Sequence, residues 1–359
     1  MLEKTILQSK TIDFLRFPLI VGVVLIHSQL GELKVGDLIY SEGLSLPIYT
    51  YVSKLFSHIL AAVAVPLFFI ISGFLFFYKS EFSLTIYMIK LKKRINTLLI
   101  PYLFWNLVVI LLFYFAQSIF PTLMSGGNKL VVDYTLMDYI TAFWCLNDGM
   151  PICFQLWFLR DLLVLVLLTP IIFILIKKIR FSLIFIFLVL WLFDFSINIP
   201  GISIYSLLFF VIGASFSIMK YNLVKFVSSC FPYSLIGYCF IVLVELNLYD
   251  WAWINNLHKM GIILGCVSFF YIVAYMINIK KWRVDDCLKD SSFFIYAYHG
   301  MFLTFIMKVM MSLLHPTKDI VFLLVYFLSP LITITIGVLL YSLLKKYLPK
   351  FTSIITGGR

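Results

Sequence analysis

Polar and apolar positions separate along this chain into long apolar blocks divided by short polar breaks. A helix needs about 20 consecutive apolar residues to cross a bilayer. Ten blocks are expected to do so: 12–30, 56–78, 96–118, 155–176, 181–198, 202–219, 232–248, 260–279, 292–314 and 320–344. The fifth and sixth are joined by DFSINIPG (194–201), a short polar break ending in a Pro-Gly turn. No small-residue cleavage site follows the first block, so it is expected to be a retained helix and not a signal peptide. The pattern predicts an all-α polytopic membrane protein forming one domain over residues 1–359, with 119–154 as its longest external loop.

Composition agrees with that pattern. The chain is 62% hydrophobic and 13% charged, against about 45–50% apolar and about 25% charged in an ordinary soluble domain. The net charge of +11 first suggests an anionic partner such as nucleic acid, but the distribution of lysine and arginine gives another reason. Twenty of them fall in the N-terminus, 79–94, 177–180, 220–231, 280–291 and 345–359, and five in the intervening segments. Arg16, Arg160 and Lys308 lie within spans. The asymmetry predicts cytoplasmic termini and accounts for the basic balance through the lipid bilayer, with no nucleic acid. The six cysteines form no CxxC pair and no Cys/His ligand spacing, so no metal is expected. Cys145 and Cys153 share the long loop, where an oxidising exterior permits a disulfide.

Ionisable residues inside spans cost about 2.5–3.5 kcal/mol on insertion scales and so mark candidate sites. The first span holds two, Arg16 and His27, in FLRFPLIVGVVLIHS (14–28). Eleven residues is just over three helical turns, so both face nearly the same way, roughly 16 Å apart along the axis. Asp13 precedes Arg16 by one turn and is placed to pair with it. Arg16 either snorkels to the inner headgroups or serves a site, whereas His27 lies too deep to snorkel well. Ser72 and Gly73, in VPLFFIISGFLFF, allow close helix approach, and simple packing competes with a site role for Ser72. Lys90, Lys92, Lys93 and Arg94 form a basic mouth on the third span, either a lipid anchor or a seat for an anionic ligand. Arg160 and Asp161 sit near the outer end of the fourth span, either interfacial or lining a cavity. His299, in the ninth span, is either a second active-site histidine or a satisfied core one.

Five stretches taken together resemble the acyltransferase family 3 membrane proteins of bacteria. They are DFLRFPLIVGVVLIHS, with ten residues between Arg16 and His27, then VPLFFIISGFLF, KKRINTLLIPYLFW, LWFLRDLLVLVLLTP and SSFFIYAYHG. The ten-span pattern also looks like that family's fold, in its stand-alone form without a fused esterase-like domain. Phe17-Pro18 replaces the small Gly-bearing pair usual after the arginine, and a locally different helix start is expected there. Gly300-Met301 after His299 also departs from the commoner run.

The resemblance implies a multi-pass enzyme of the bacterial cytoplasmic membrane. It implies transfer of an acyl group, acetyl by expectation, from cytoplasmic acyl-CoA to a hydroxyl of a glycan or lipid-linked glycan. Arg16 and the mouth of Lys92, Lys93 and Arg94 would hold the anionic nucleotide. His27 would act as general base or carry the acyl group itself. Trp157, Arg160 and the 119–154 loop would face the acceptor, with Asp13, Ser72 and His299 as further site candidates. The competing class is a transporter or flippase of a glycan lipid, which also buries ionisable residues. The paired broken helices and half-to-half symmetry of many transporters are not evident in the sequence.

Overall fold

The computed structural model describes residues 4–30, 33–35, 38–40, 46–79, 81–119, 129–145, 149–248, 253–283 and 285–358. The elements in chain order are α1 (Lys4–Ile26), a short antiparallel hairpin of β1 (Leu33–Val35) and β2 (Leu38–Tyr40), α2 (Pro47–Ser53), α3 (Ala64–Phe77), α4 (Leu84–Arg94), α5 (Ile100–Ile119) and α6 (Leu136–Trp144). They continue with α7 (Trp157–Ile179), α8 (Ser182–Leu192), α9 (Ile204–Ile218), α10 (Leu223–Asn247), α11 (Ile254–Lys280), α12 (Asp286–Leu314), α13 (Asp319–Tyr347) and α14 (Pro349–Thr356). The hairpin is the small exception to the expected all-α architecture.

Among the described residues, seven helical stretches are long and apolar enough to cross a membrane: Pro47–Phe77, Leu84–Ile119, Phe154–Ile179, Leu223–Asn247, Ile254–Lys280, Asp286–Leu314 and Asp319–Tyr347. The other three expected spans differ for physical reasons. α8 and α9, with 11 and 15 residues, reach only about 16 Å and 22 Å at 1.5 Å per residue, short of a hydrocarbon layer of about 30 Å. α1 carries Lys10, Asp13 and Arg16 within its apolar run. It is not a lipid-facing helix: it touches α3, α10, α11, α12 and α13, and Leu15, Leu19 and Val24 are fully enclosed. Its apolar side chains pack into the bundle, while Lys10 and Asp13 stay exposed and Arg16 partly so near the start of the helix.

Two stretches are longer than the apolar pattern predicts and change winding on the way. A π-helical turn (Lys54–Leu60) and a 3-10 turn (Ala61–Val63) join α2 to α3, and a second π turn (Ile95–Leu99) joins α4 to α5. Glycine supplies the tightest crossing. A Cβ at Gly73 would collide with the backbone carbonyl of Phe210 on α9, and one at Gly213 with that of Ile70 on α3. The close approach expected at Ser72-Gly73 is therefore made by Gly73, which leaves Ser72 free to face elsewhere.

The 119–154 segment contains α6, closed at its N-terminus by a capping box between Thr135 and Asp138. Cys145 and Cys153 are both free thiols. Arg160, buried, donates to the carbonyls of Trp144 and Gly149 and to Asp161 at 3.0 Å, tying this segment to α7.

Candidate functional site

A cavity of about 560 Å³ opens between α1, α3, α7, α11 and α12, within the usual range for a small-molecule site. Its wall on α1 is the row Arg16, Ile20, Val23 and His27, positions that fall on one helical face. The predicted sharing of a face by Arg16 and His27 thus holds along the whole row. α1 also passes through Pro18 without restarting. The expected local helix start at Phe17-Pro18 is absent, because a proline needs only to forgo its own N–H bond. Arg16 therefore keeps its register with His27.

At the His27 end, α1 has just finished and its last carbonyls need donors. Ser28 Oγ donates to the Leu25 carbonyl at 2.7 Å, and Ser57 Oγ donates to the same oxygen while bonding Tyr326 Oη at 2.7 Å. These bonds anchor the turn from which His27 projects. The imidazole is half-buried and open to the cavity, with Phe154 edge-on at 5.1 Å between ring centres. Behind it lies His299, fully buried, with ring centres 5.4 Å apart. His299 Nδ1 faces two carbonyls, Tyr296 at 2.7 Å and Ile295 at 3.2 Å. Carbonyls only accept, so Nδ1 carries the proton and Nε2 is left with a lone pair. That Nε2 has no partner among the described residues. His299 Nε2 is thus an unpartnered acceptor behind His27, in ring contact with it at 5.4 Å between centres.

A residue that the apolar pattern did not single out, Gln155, completes this end. Its Nε2 donates to the Ala297 carbonyl at 2.9 Å, while Tyr296 Oη donates to the Gln155 carbonyl at 2.7 Å. Its Oε1 is buried, on the cavity wall, and without a partner among the described residues. Gly300 makes room for it: a Cβ there would lie 2.8 Å from Gln155 Cδ. The departure Gly300-Met301 thus has a structural use. Gly300→Ala is expected to break the Gln155–Ala297 bond, lowering stability by about 1–3 kcal/mol and activity with it. Thermal unfolding in detergent checks this; an unchanged midpoint would show that Gln155 yields without cost.

At the other end, Arg16 pairs with Asp13 at 3.2 Å, and both side chains are partly exposed. Arg94 lines the cavity with its guanidinium over the Phe76 ring, 6.0 Å from its centre. Lys90 lies over the same ring at 5.1 Å and donates to the Phe76 carbonyl. Lys289 and Asp290 from α12, unmarked by the sequence pattern, join this mouth. Lys92 and Lys93 are exposed and do not reach the cavity, because successive helix positions point about 100° apart and Arg94 takes the inward one. Ser72 and Trp157 do line it, the latter within an aromatic group with Phe69 and Tyr205 at 6.2–6.4 Å. Arg160 does not; its guanidinium is spent on the carbonyls of Trp144 and Gly149 and on Asp161.

The cavity thus joins His27 at one end to Arg16, Arg94, Lys289 and Asp290 at the other. The family model described as an acyltransferase domain matches residues 9–342. The chain belongs to acyltransferase family 3. The match takes in α1 through most of α13, so every cavity-lining residue of this membrane acyltransferase lies inside it. Comparison with curated proteins and with solved structures finds no match.

Proposed function

We propose that the protein transfers an acyl group from a cytoplasmic coenzyme A thioester to a hydroxyl of a glycan or lipid-linked glycan on the outer side of a bacterial cytoplasmic membrane. The observation that carries this reading is the single cavity joining Arg16 and Arg94 at one end to an open His27 at the other. With the termini cytoplasmic, as the lysine and arginine distribution argues, the cationic mouth faces the compartment where acyl-CoA is made. The phosphates bind Arg16, Arg94 and Lys289, which act as charge-assisted donors. The mostly uncharged pantetheine arm runs past Ile20 and Val23 and delivers the thioester to His27.

There a His27 nitrogen takes the proton of the acceptor hydroxyl as its oxygen attacks the thioester carbon. The C–S bond breaks, the new C–O ester bond forms, and the departing thiolate recovers the proton from the imidazolium. His299 is a positioning residue: its Nε2 accepts from the far nitrogen of His27 and leaves the near one unprotonated. Gln155 Nε2 is committed to Ala297, so its Oε1 serves as an acceptor for a substrate N–H or O–H. In a variant of the sequence, His27 is acylated first and passes the group on.

Two measurements test this. Purified protein given acetyl-CoA and a glycan acceptor is expected to release free thiol; no release with any acyl donor would favour transport without chemistry. Arg16→Ala is expected to raise the apparent KM for acyl-CoA by about 10- to 100-fold, the worth of one charge-assisted bond of roughly 1.5–3 kcal/mol, with kcat little changed. An unaltered KM would remove Arg16 from the donor site.

A further inference from the structure

A second cluster of titratable side chains opens on the same cavity and takes no part in the reading above. His58, Glu245 and His258 each offer a ligand atom, and these atoms all lie within 4.8 Å of one another. The outermost two are 200 residues apart, and the three come from different elements: the π turn before α3, the end of α10 and the first turns of α11. The His58 and His258 rings are stacked, 4.3 Å between centres and 11° from parallel. Both line the cavity. Glu245 is 1% exposed; its Oε2 meets His258 Nδ1 at 3.0 Å, and its Oε1 has no partner among the described residues.

Placing a carboxylate here is costly unless it is paired or coordinates a metal. One cation is already near: Lys54 Nζ donates to the backbone carbonyl of Glu245 at 2.6 Å. The next one along, Lys259, is spent on Asp194 at 2.6 Å. Neither of these bonds serves Oε1. The π turn matters too, since its one extra residue per turn rotates His58 out of the regular helical register, and such turns concentrate at functional positions.

We infer that His58, His258 and Glu245 form a zinc site, with three protein ligands and a fourth position open to the cavity. Two imidazoles and one carboxylate are the donor set of zinc sites that keep an open position, with bonds of about 2.0–2.2 Å. The 3.0 Å between Oε2 and Nδ1 is already close to the edge of such a tetrahedron, about 3.3 Å, and His58 has to close by up to about 1.5 Å and turn out of its stack on His258. Its exposure leaves it free to do so. An oxygen donor from the cavity, water or a hydroxyl, completes the shell. This site stands on its own geometry and does not depend on the acyl-transfer reading.

The test uses the full chain in detergent, stripped with chelator and dialysed against micromolar zinc chloride. Mass spectrometry is expected to find about one zinc per chain. His58→Ala and Glu245→Gln are each expected to weaken uptake by at least about tenfold, since even partners outside the ligand set are worth 10–100-fold. His315→Ala is expected to retain it. As Glu245→Gln is buried and liable to disturb folding, cobalt binding to the unmutated protein provides a second measurement. A visible spectrum of a nitrogen–oxygen site without a thiolate band supports the assignment. Uptake no greater than a detergent blank, uptake undiminished in both ligand variants, or cobalt held by thiolates alone would overturn it.

Discussion

His27→Ala lowers acyl transfer by about 10²- to 10⁴-fold, the usual worth of a positioned general base, with the protein still inserted and folded. The side chain is half-buried on a cavity wall, and the α1 turn beneath it is held by Ser28 and Ser57, so its loss leaves the local backbone bonds in place. Thiol release from acyl-CoA in membranes measures the effect, with detergent gel filtration as the folding control. Transfer near the wild-type rate would take His27 out of the chemistry. His299 separates two roles within the pair. His299→Ala is expected to lower kcat with little change in the KM for acyl-CoA, because it touches His27 and lies outside the cavity wall. A burst of covalently acylated protein in wild type, absent in His27→Ala, would select the acyl-relay form over the general base.

Gly213→Ala is expected to prevent folding into the native bundle, a loss above about 4 kcal/mol. The added Cβ would lie 2.7 Å from the Ile70 carbonyl carbon and 2.8 Å from Phe74 N, all backbone that cannot swing aside. α3 would have to back away from α9 along the crossing, and α3 carries Ser72 on the cavity wall. Gly237→Ala is the matched control. Its Cβ meets only Leu264 Cδ1, at 2.9 Å, the far end of a flexible side chain. The comparison reads out as yield and thermal midpoint in detergent. Equal behaviour of the two variants would mean that the α3–α9 crossing relaxes, and that small residues here are not what sets helix distance.

The helical, membrane-embedded character of the chain was legible because apolar runs near 20 residues have few other uses. The boundaries were less so. Residues 47–55 fell outside the expected span 56–78, yet the helix already runs there and continues through a π turn and a 3-10 turn into α3. α1 read as one more span; its contacts with five other helices, which bury Leu15, Leu19 and Val24, could not be read from its own residues. At the site, Arg16 and His27 were visible because one helix holds both, and helical geometry alone puts them on one face. The mouth was only half visible. Four basic residues within five positions suggested it, but only rotation about α4 decides that Arg94 turns inward while Lys92 and Lys93 do not. Arg160, charged and inside a span, was expected either at the interface or on a cavity; its bonds to the carbonyls of Trp144 and Gly149 are long-range contacts that no periodicity encodes.

By itself, then, the sequence determined what is local: the solvent of the chain, the approximate helices, the family, and the shared face of Arg16 and His27. Composition and a 3.6-residue period suffice for the solvent, the helices and the shared face; the family rests on five ordered stretches that resemble it. Tertiary structure alone decided what lies between elements: His299 at the back of His27, Gln155 in the space left by Gly300, and His58, Glu245 and His258 gathered from three helices. The physical reason is that a helix dictates neighbours only three or four residues away. Which distant side chains meet depends on which faces pack, and that choice belongs to the whole bundle.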